Sequence, residues 1–181
     1  WSWDRILRSI FIKQADVLQG LYLFEDQFDL ETIKANFDFY EPKTVHESSL
    51  SPCVHVILAA KIGNLSKAYE LYLRTSRLDL DDYNHEADEG LHITSMAGTW
   101  MSVVEGMAGV RVHESGLEIN PTIPDAWQSY SFSILYQTVP LHITIDKQSV
   151  RVKNLGTDTI SCTLLNQAVH IQAGEMIESK I

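Results

Sequence analysis

Only two cysteines occur in 181 residues, Cys53 in a helical stretch and Cys162 in a strand-like one. That argues against a disulfide framework and fits a reducing compartment, the cytoplasm. No apolar run approaches the roughly 18 to 20 residues that a membrane-spanning helix needs, and no cationic segment followed by an apolar one opens the chain. Neither a membrane span nor a secretory signal is expected. Basic residues are scarce as well: 14 Lys and Arg against 24 Asp and Glu leave a formal charge of −10. Such a chain repels a polyanionic backbone, so nucleic acid is not expected as a partner. No Cys pair has zinc-ligand spacing, and no glycine-rich loop has the Walker or dinucleotide form. The acidic stretch Asp79 to Asp88, with Tyr83, Asn84 and His85, lacks the turn glycine and final glutamate of an EF-hand loop and reads as a surface connection.

What is present is enough apolar residue, 45% of the chain, to bury the core of one or two domains. From Asp16 to about Met107 the apolar residues recur at helical spacing. Helices are expected from near Asp29 to Tyr40, with Leu30, Ile33 and Phe37 on one face, and from Pro52 to Gly63 with Ser51 as cap. Others are expected from about Ser66 to Arg77 and from near Thr94 or Ser95 through Trp100, Val103, Val104 and Met107. Gly98 lies inside this last helix, where glycine costs about 1 kcal/mol relative to alanine, and marks either close backbone packing or a tolerated defect. After Gly109 the period changes to two, and six to eight short strands are expected to form a small antiparallel sandwich. The predicted division is 1–108, helical, and 109–181, β. The chain opens on Trp1-Ser2-Trp3-Asp4 without Met or a capping signal, as expected of a fragment.

Three segments crowd polar side chains in front of helix starts. In Lys13-Gln14-Ala15-Asp16 an ammonium and an amide precede a helix with Asp16 as its candidate N-cap, and together they offer donors and an acceptor suited to sugar hydroxyls. A solvated surface pair is the competing reading. Thr44-Val45-His46-Glu47-Ser48-Ser49-Leu50-Ser51-Pro52 places hydroxyls at a helix N-terminus, whose unpaired N–H groups and positive partial charge suit anions. Serines that merely cap the helix, with His46 paired to Glu47 or to backbone, would look the same. Gly90-Leu91-His92-Ile93-Thr94-Ser95 repeats the pattern. Two such starts in one domain are what a buried phosphate requires, because a dianion must meet several donors before leaving water; ordinary capping is again the alternative. The remaining histidines, His55, His113, His142 and His170, sit inside helix or strand patterns and read as packing or surface residues.

Taken in order, Lys13-Gln14-Ala15-Asp16, then Thr44 to Ser51, then Gly90-Leu91-His92-Ile93-Thr94-Ser95-Met96-Ala97-Gly98-Thr99-Trp100 resemble glycoside hydrolase family 65, and within it the phosphorylases of maltose, trehalose and kojibiose. The resemblance covers nearly the whole chain. It implies the C-terminal helices of an (α/α)6 barrel followed by a β-sandwich, and an inverting phosphorolysis of an α-linked glucose disaccharide, maltose foremost, to β-glucose 1-phosphate and glucose. Inorganic phosphate would be co-substrate, with no metal or organic cofactor, in a homodimeric enzyme. By the same resemblance Lys13, Gln14, His46 and Glu47 bind the sugar, and Ser48, Ser49, His92, Thr94 and Ser95 hold phosphate. The family's general acid is expected upstream of Trp1, so no carboxylate of this chain takes that role and the chain alone is expected to be silent. Two alternatives stay open: an inverting hydrolase with Glu47 as base, and a non-catalytic fragment.

Overall fold

A computed structural model describes residues 2–6, 8–82 and 85–181; readings placed on Trp1, Tyr83 and Asn84 lie outside the described residues. The chain divides into two units, Trp1–Gly106 and Met107–Ile181.

The first unit is helical. Its helices are α1 (Trp3–Ile6), α2 (Asp16–Leu23), α3 (Leu30–Tyr40), α4 (Ser51–Lys61), α5 (Leu65–Ser76) and α6 (Ile93–Met101), the last running on into a wider π-type turn, Ser102–Met107. Asp29 starts α3 by accepting the Thr32 N–H at 2.7 Å, and Asn64 does the same for α5 through Lys67, as short polar side chains do at helix starts. The expected apolar face of α3 is narrower than its spacing suggests: Ile33 and Phe37 are buried, whereas Leu30, in the first turn, is 51% exposed.

Helix α4 is the centre of the unit. Every residue from Ser51 to Ala60 is buried, and α2, α3, α5 and α6 all pack against it. A helix covered on all sides needs no polar stripe, which explains its near-continuous apolar run. Gly98 of α6 owes its identity to this packing, since a Cβ there would lie 2.9 Å from Cys53 Cβ. Of the two readings of Gly98, the structure selects close approach.

The second unit holds two four-stranded sheets. One is ordered β1 (Arg111–His113), β2 (Gly116–Ile119), β6 (Ile160–Leu164), β7 (Gln167–Ile171); the other is β3 (Ser129–Tyr136), β4 (Val139–Asp146), β5 (Ser149–Asn154), β8 (Met176–Lys180). Leu117, Ile119 and Leu164 of the first and Leu141, Ile143, Ile145, Val150 and Val152 of the second are buried to the last one percent. Alternate residues of both sheets thus face one core. Asn154 ties them together, donating from Nδ2 to the Ile171 carbonyl at 3.1 Å and to Asp158 O at 2.8 Å.

The expectation of a purely antiparallel sandwich needs correction. β2 and β6 pair in parallel, Leu117 opposite Cys162 and Ile119 opposite Leu164. Between them the chain builds β3, β4 and β5 in the other sheet, and so long a crossover lets it return in the same direction, which no hairpin does. Gly109 has φ +58°, and a Cβ on it would meet Asn120 O at 2.3 Å, so this turn at the start of the β unit accepts glycine alone.

Candidate functional site

The three polar segments belong to the helical unit, and backbone pairing brings the first two together. Ile12 forms an isolated parallel bridge with Thr44: its N–H donates to Lys43 O and its carbonyl accepts from Val45 N–H, both at 2.9 Å. One residue further on, Lys13 Nζ lies 3.3 Å from Glu47 Oε2. Gln14 is exposed beside it. Asp16 is not the N-cap of α2; Ala15 occupies that position without a side-chain bond, and Asp16 sits in the first turn, where its charge suits the helix dipole.

His46 makes the turn between this bridge and α4. Its φ is +52°, its carbonyl accepts from Arg74 Nη2 at 2.9 Å, and its Nδ1 meets Ser51 Oγ at 2.9 Å. Ser51 therefore does not cap α4: it is a buried helical residue, and its hydroxyl is committed to His46. Leu50 stands at the N-cap with no side-chain bond; the Ser51 N–H donates to Ser48 O at 3.1 Å, and Pro52 carries no N–H, so the first two residues of α4 offer no open backbone donor. Ser48 and Ser49 sit half-buried on the turn immediately before, with Ser48 Oγ accepting from Leu50 N–H at 3.3 Å. His46 itself is only 6% exposed, so it underpins this turn.

The third segment is organised by residues the sequence reading left aside. His92 Nδ1 lies 2.6 Å from Asp79 Oδ1, its backbone N–H donates to Asp79 Oδ2 at 2.9 Å, and its Nε2 is 3.2 Å from Glu86 Oε2. The Asp79 hydrogen bond, reinforced by the charges of Asp79 and Glu86, raises the His92 pKa against a smaller opposing desolvation, and the same bond lowers that of Asp79. Both residues line an open cleft of about 220 Å³ with Asp82 and Glu86. Thr94 is exposed in the first turn of α6. Ser95 is 3% exposed and donates its hydroxyl hydrogen to Thr75 O at 2.8 Å. The Ser95 hydroxyl hydrogen is thus engaged within the fold, whereas Thr94 is the one turned to solvent at this helix start.

The helix packing sets the second and third segments at one end of the unit. Gly98 of α6 abuts Cys53 near the start of α4, and Gly106, further along the chain, abuts Val56 and Ile57. The two helices therefore run the same way, and the N-terminus of each opens at the same end. Asp79, Glu86 and Arg74 are functional candidates that the sequence reading missed. Asp79 and Glu86 lie in what reads as a solvated acidic run, and nothing in the spacing singles out the carboxylate that will reach a histidine across a loop.

One cluster has the residue types of a metal site. Glu41, His46 and His55 present ligand atoms within 4.8 Å of one another. Burial holds the His46 pKa down at about 4 and that of His55 at about 3, with further lowering from Arg74 and Lys67 at His46 and from His46 and Lys67 at His55. Both rings are therefore neutral near pH 7. Lys67 Nζ sits 3.4 Å from Glu41, and its charge with that of Arg74 opposes a cation there. Among the described residues no helix is long and apolar enough to cross a membrane.

Comparison with known proteins follows the same division. The family model for the glycosyl hydrolase family 65 central catalytic domain matches residues 1–101, and that for the family's C-terminal domain matches residues 110–171. The chain is 52% identical over 172 residues to the maltose phosphorylase of Bacillus subtilis (strain 168), covering 95% of this chain and 23% of that protein. It is 42% identical to the alpha,alpha-trehalose phosphorylase of Geobacillus stearothermophilus, covering 92% and 22%. A solved structure from the human microbiome, provisionally described as a kojibiose phosphorylase, superposes with a TM-score of 0.93 at 36% identity, covering 100% of this chain and 26% of that one. The chain spans about a quarter of the length of these relatives.

Proposed function

The chain belongs to glycosyl hydrolase family 65, and from that membership we propose that it supplies the phosphate side and part of the glucose side of an inverting disaccharide phosphorylase. The protein carrying it would cleave an α-linked glucose disaccharide with inorganic phosphate as co-substrate, within an (α/α)6 barrel, as a cytoplasmic homodimer. Maltose is the favoured substrate, because identity to the maltose phosphorylase exceeds that to the trehalose enzyme by ten points, 52% against 42%.

The observation that carries this reading is the pair of helix starts opening at one end of the unit. Phosphate is already anionic, so it needs no base to activate it as water does; it needs to be held in line with the bond it attacks. The hydroxyls of Ser48 and Ser49 would donate to it beside the start of α4, and His92 and Thr94 from the start of α6. Lys13 and Gln14 would bind the glucosyl unit, with Glu47 holding the Lys13 ammonium in place. One phosphate oxygen then attacks the anomeric carbon from the face opposite the leaving oxygen, giving β-glucose 1-phosphate. The leaving oxygen takes its proton from an acid outside this chain and departs as free glucose.

The test of the substrate is a comparison of kcat/KM for maltose, trehalose and kojibiose by the full-length protein at fixed phosphate, following glucose 1-phosphate. Maltose is expected to exceed the other two by at least about tenfold, equivalent to roughly 1.4 kcal/mol of transition-state discrimination. Preference for either other sugar would overturn the assignment to maltose while leaving phosphorolysis in place.

A further inference from the structure

Asp79 makes a two-point grip on His92 that is more than a helix cap. One carboxylate oxygen accepts the backbone N–H that precedes α6, and the other faces ring Nδ1 at 2.6 Å. A carboxylate oxygen only accepts, so Nδ1 must carry a hydrogen. The other ring nitrogen lies 3.2 Å from a second carboxylate, Glu86 Oε2, an ion pair when the ring is protonated. The two carboxylates together favour the imidazolium, and the His92 pKa is raised accordingly, the Asp79 hydrogen bond first among the causes. Among the described residues, the titratable groups that face it are Asp79, Glu86 and, lining the same cleft, Asp82, all acidic.

We propose that Asp79 is a positioning residue for the anionic co-substrate, orienting His92 so that its Nε2–H donates to a phosphate oxygen. The inference rests on the phosphorylase reading above. Glu86 occupies Nε2 through a single, longer contact, and an incoming phosphate oxygen takes that place. Asp79 stays, because it binds both the ring and the main chain. A purely structural Asp79 would need only the backbone contact, which starts α6; the ring contact is the one that sets which nitrogen points outward and whether it is protonated.

The test uses the full-length protein and sulfate as an inhibitor competing with phosphate. Sulfate stays a dianion from about pH 6 to 9, whereas phosphate changes charge near pH 7, so the sulfate inhibition constant reads the charge of the protein alone. In the wild type it should stay flat at low pH and rise about tenfold per pH unit above a break that lies higher than 6.5, because the raised pKa of His92 keeps the ring charged up to that point. Asp79→Asn keeps the size and the backbone contact but removes the charge. It should move the break to lower pH and weaken sulfate at pH 8 by at least about tenfold, with kcat less affected than the KM for phosphate. Asp79→Glu should restore the high break.

An unmoved break in Asp79→Asn, a wild type with no break, or sulfate that does not compete would each overturn the proposal. Should Asp79→Asn not fold, Asp79→Glu decides it by keeping or losing the high break. Wild-type turnover that needs no phosphate would defeat the phosphorylase reading itself, and so is distinguishable from failure of the Asp79 assignment alone.

Discussion

Lys13 Nζ and Glu47 Oε2 lie 3.3 Å apart, across the two strands of chain that the Ile12–Thr44 bridge holds side by side. The bridge is what makes the pair possible, because it fixes the start of the α2 segment against the turn into α4. A cation and a carboxylate thus stand together beside the serine turn, where a sugar hydroxyl would find both a donor and an acceptor.

Replacing Lys13 by alanine should separate binding from folding. The pair is half in solvent, with side-chain exposures of 52% and 37%, and such pairs contribute only about 0.2 to 1 kcal/mol. The unfolding free energy of Lys13→Ala should accordingly change by less than about 1 kcal/mol. Its kcat/KM for the disaccharide should fall by about 100-fold, the scale of a lost hydrogen bond to a charged group. An activity loss matched by an equal loss of stability would show that Lys13 serves the fold.

Ser95→Ala should do the reverse. Its buried hydroxyl satisfies the Thr75 carbonyl at 2.8 Å, and leaving such an acceptor without its partner costs about 1 to 3 kcal/mol. Denaturant unfolding should register that cost, while the KM for phosphate stays within about twofold of wild type. A large rise in that KM with stability intact would place Ser95 in the anion site.

Thr94 and Ser95 show how far the sequence carries. Both are hydroxyl residues at a helix start, and the motif treats them alike, but one residue turns a helix by about 100°, enough to expose Thr94 and bury Ser95. Local signals were legible where the cause is local: the helix expected from near Asp29 to Tyr40 is α3, and the change of period after Gly109 marks the passage from helices to strands. Contacts made across long stretches of chain were not. The parallel pairing of β2 with β6 depends on where a long crossover returns, and the grip of Asp79 on His92 depends on how a loop folds back, so neither leaves a trace in spacing. The lack of a side-chain cap on α4 was hidden by Ser51, which has the right residue type but spends its hydroxyl on His46.

Acid should weaken the helical unit through its buried imidazoles. His46 and His55 have folded pKa values of about 4 and about 3, below the ordinary 6.5, so the unfolded chain binds protons that the folded one refuses. Their contribution is fully present above pH 6.5 and is lost as pH falls from there toward 3 to 4. Urea midpoints of the full-length protein should therefore drop between pH 7 and pH 4.5, and by less in His55→Phe, which cannot take up that proton. Equal drops in the two proteins would mean that His55 stays neutral in both states.

The most direct measurement is proton NMR of the sugars released from maltose by the full-length protein, with and without inorganic phosphate. The account predicts β-glucose 1-phosphate and free glucose in equal amounts, with turnover ceasing when phosphate is withheld. Two molecules of glucose released at a rate indifferent to phosphate would contradict it and make the enzyme a hydrolase, with Glu47 as the candidate base.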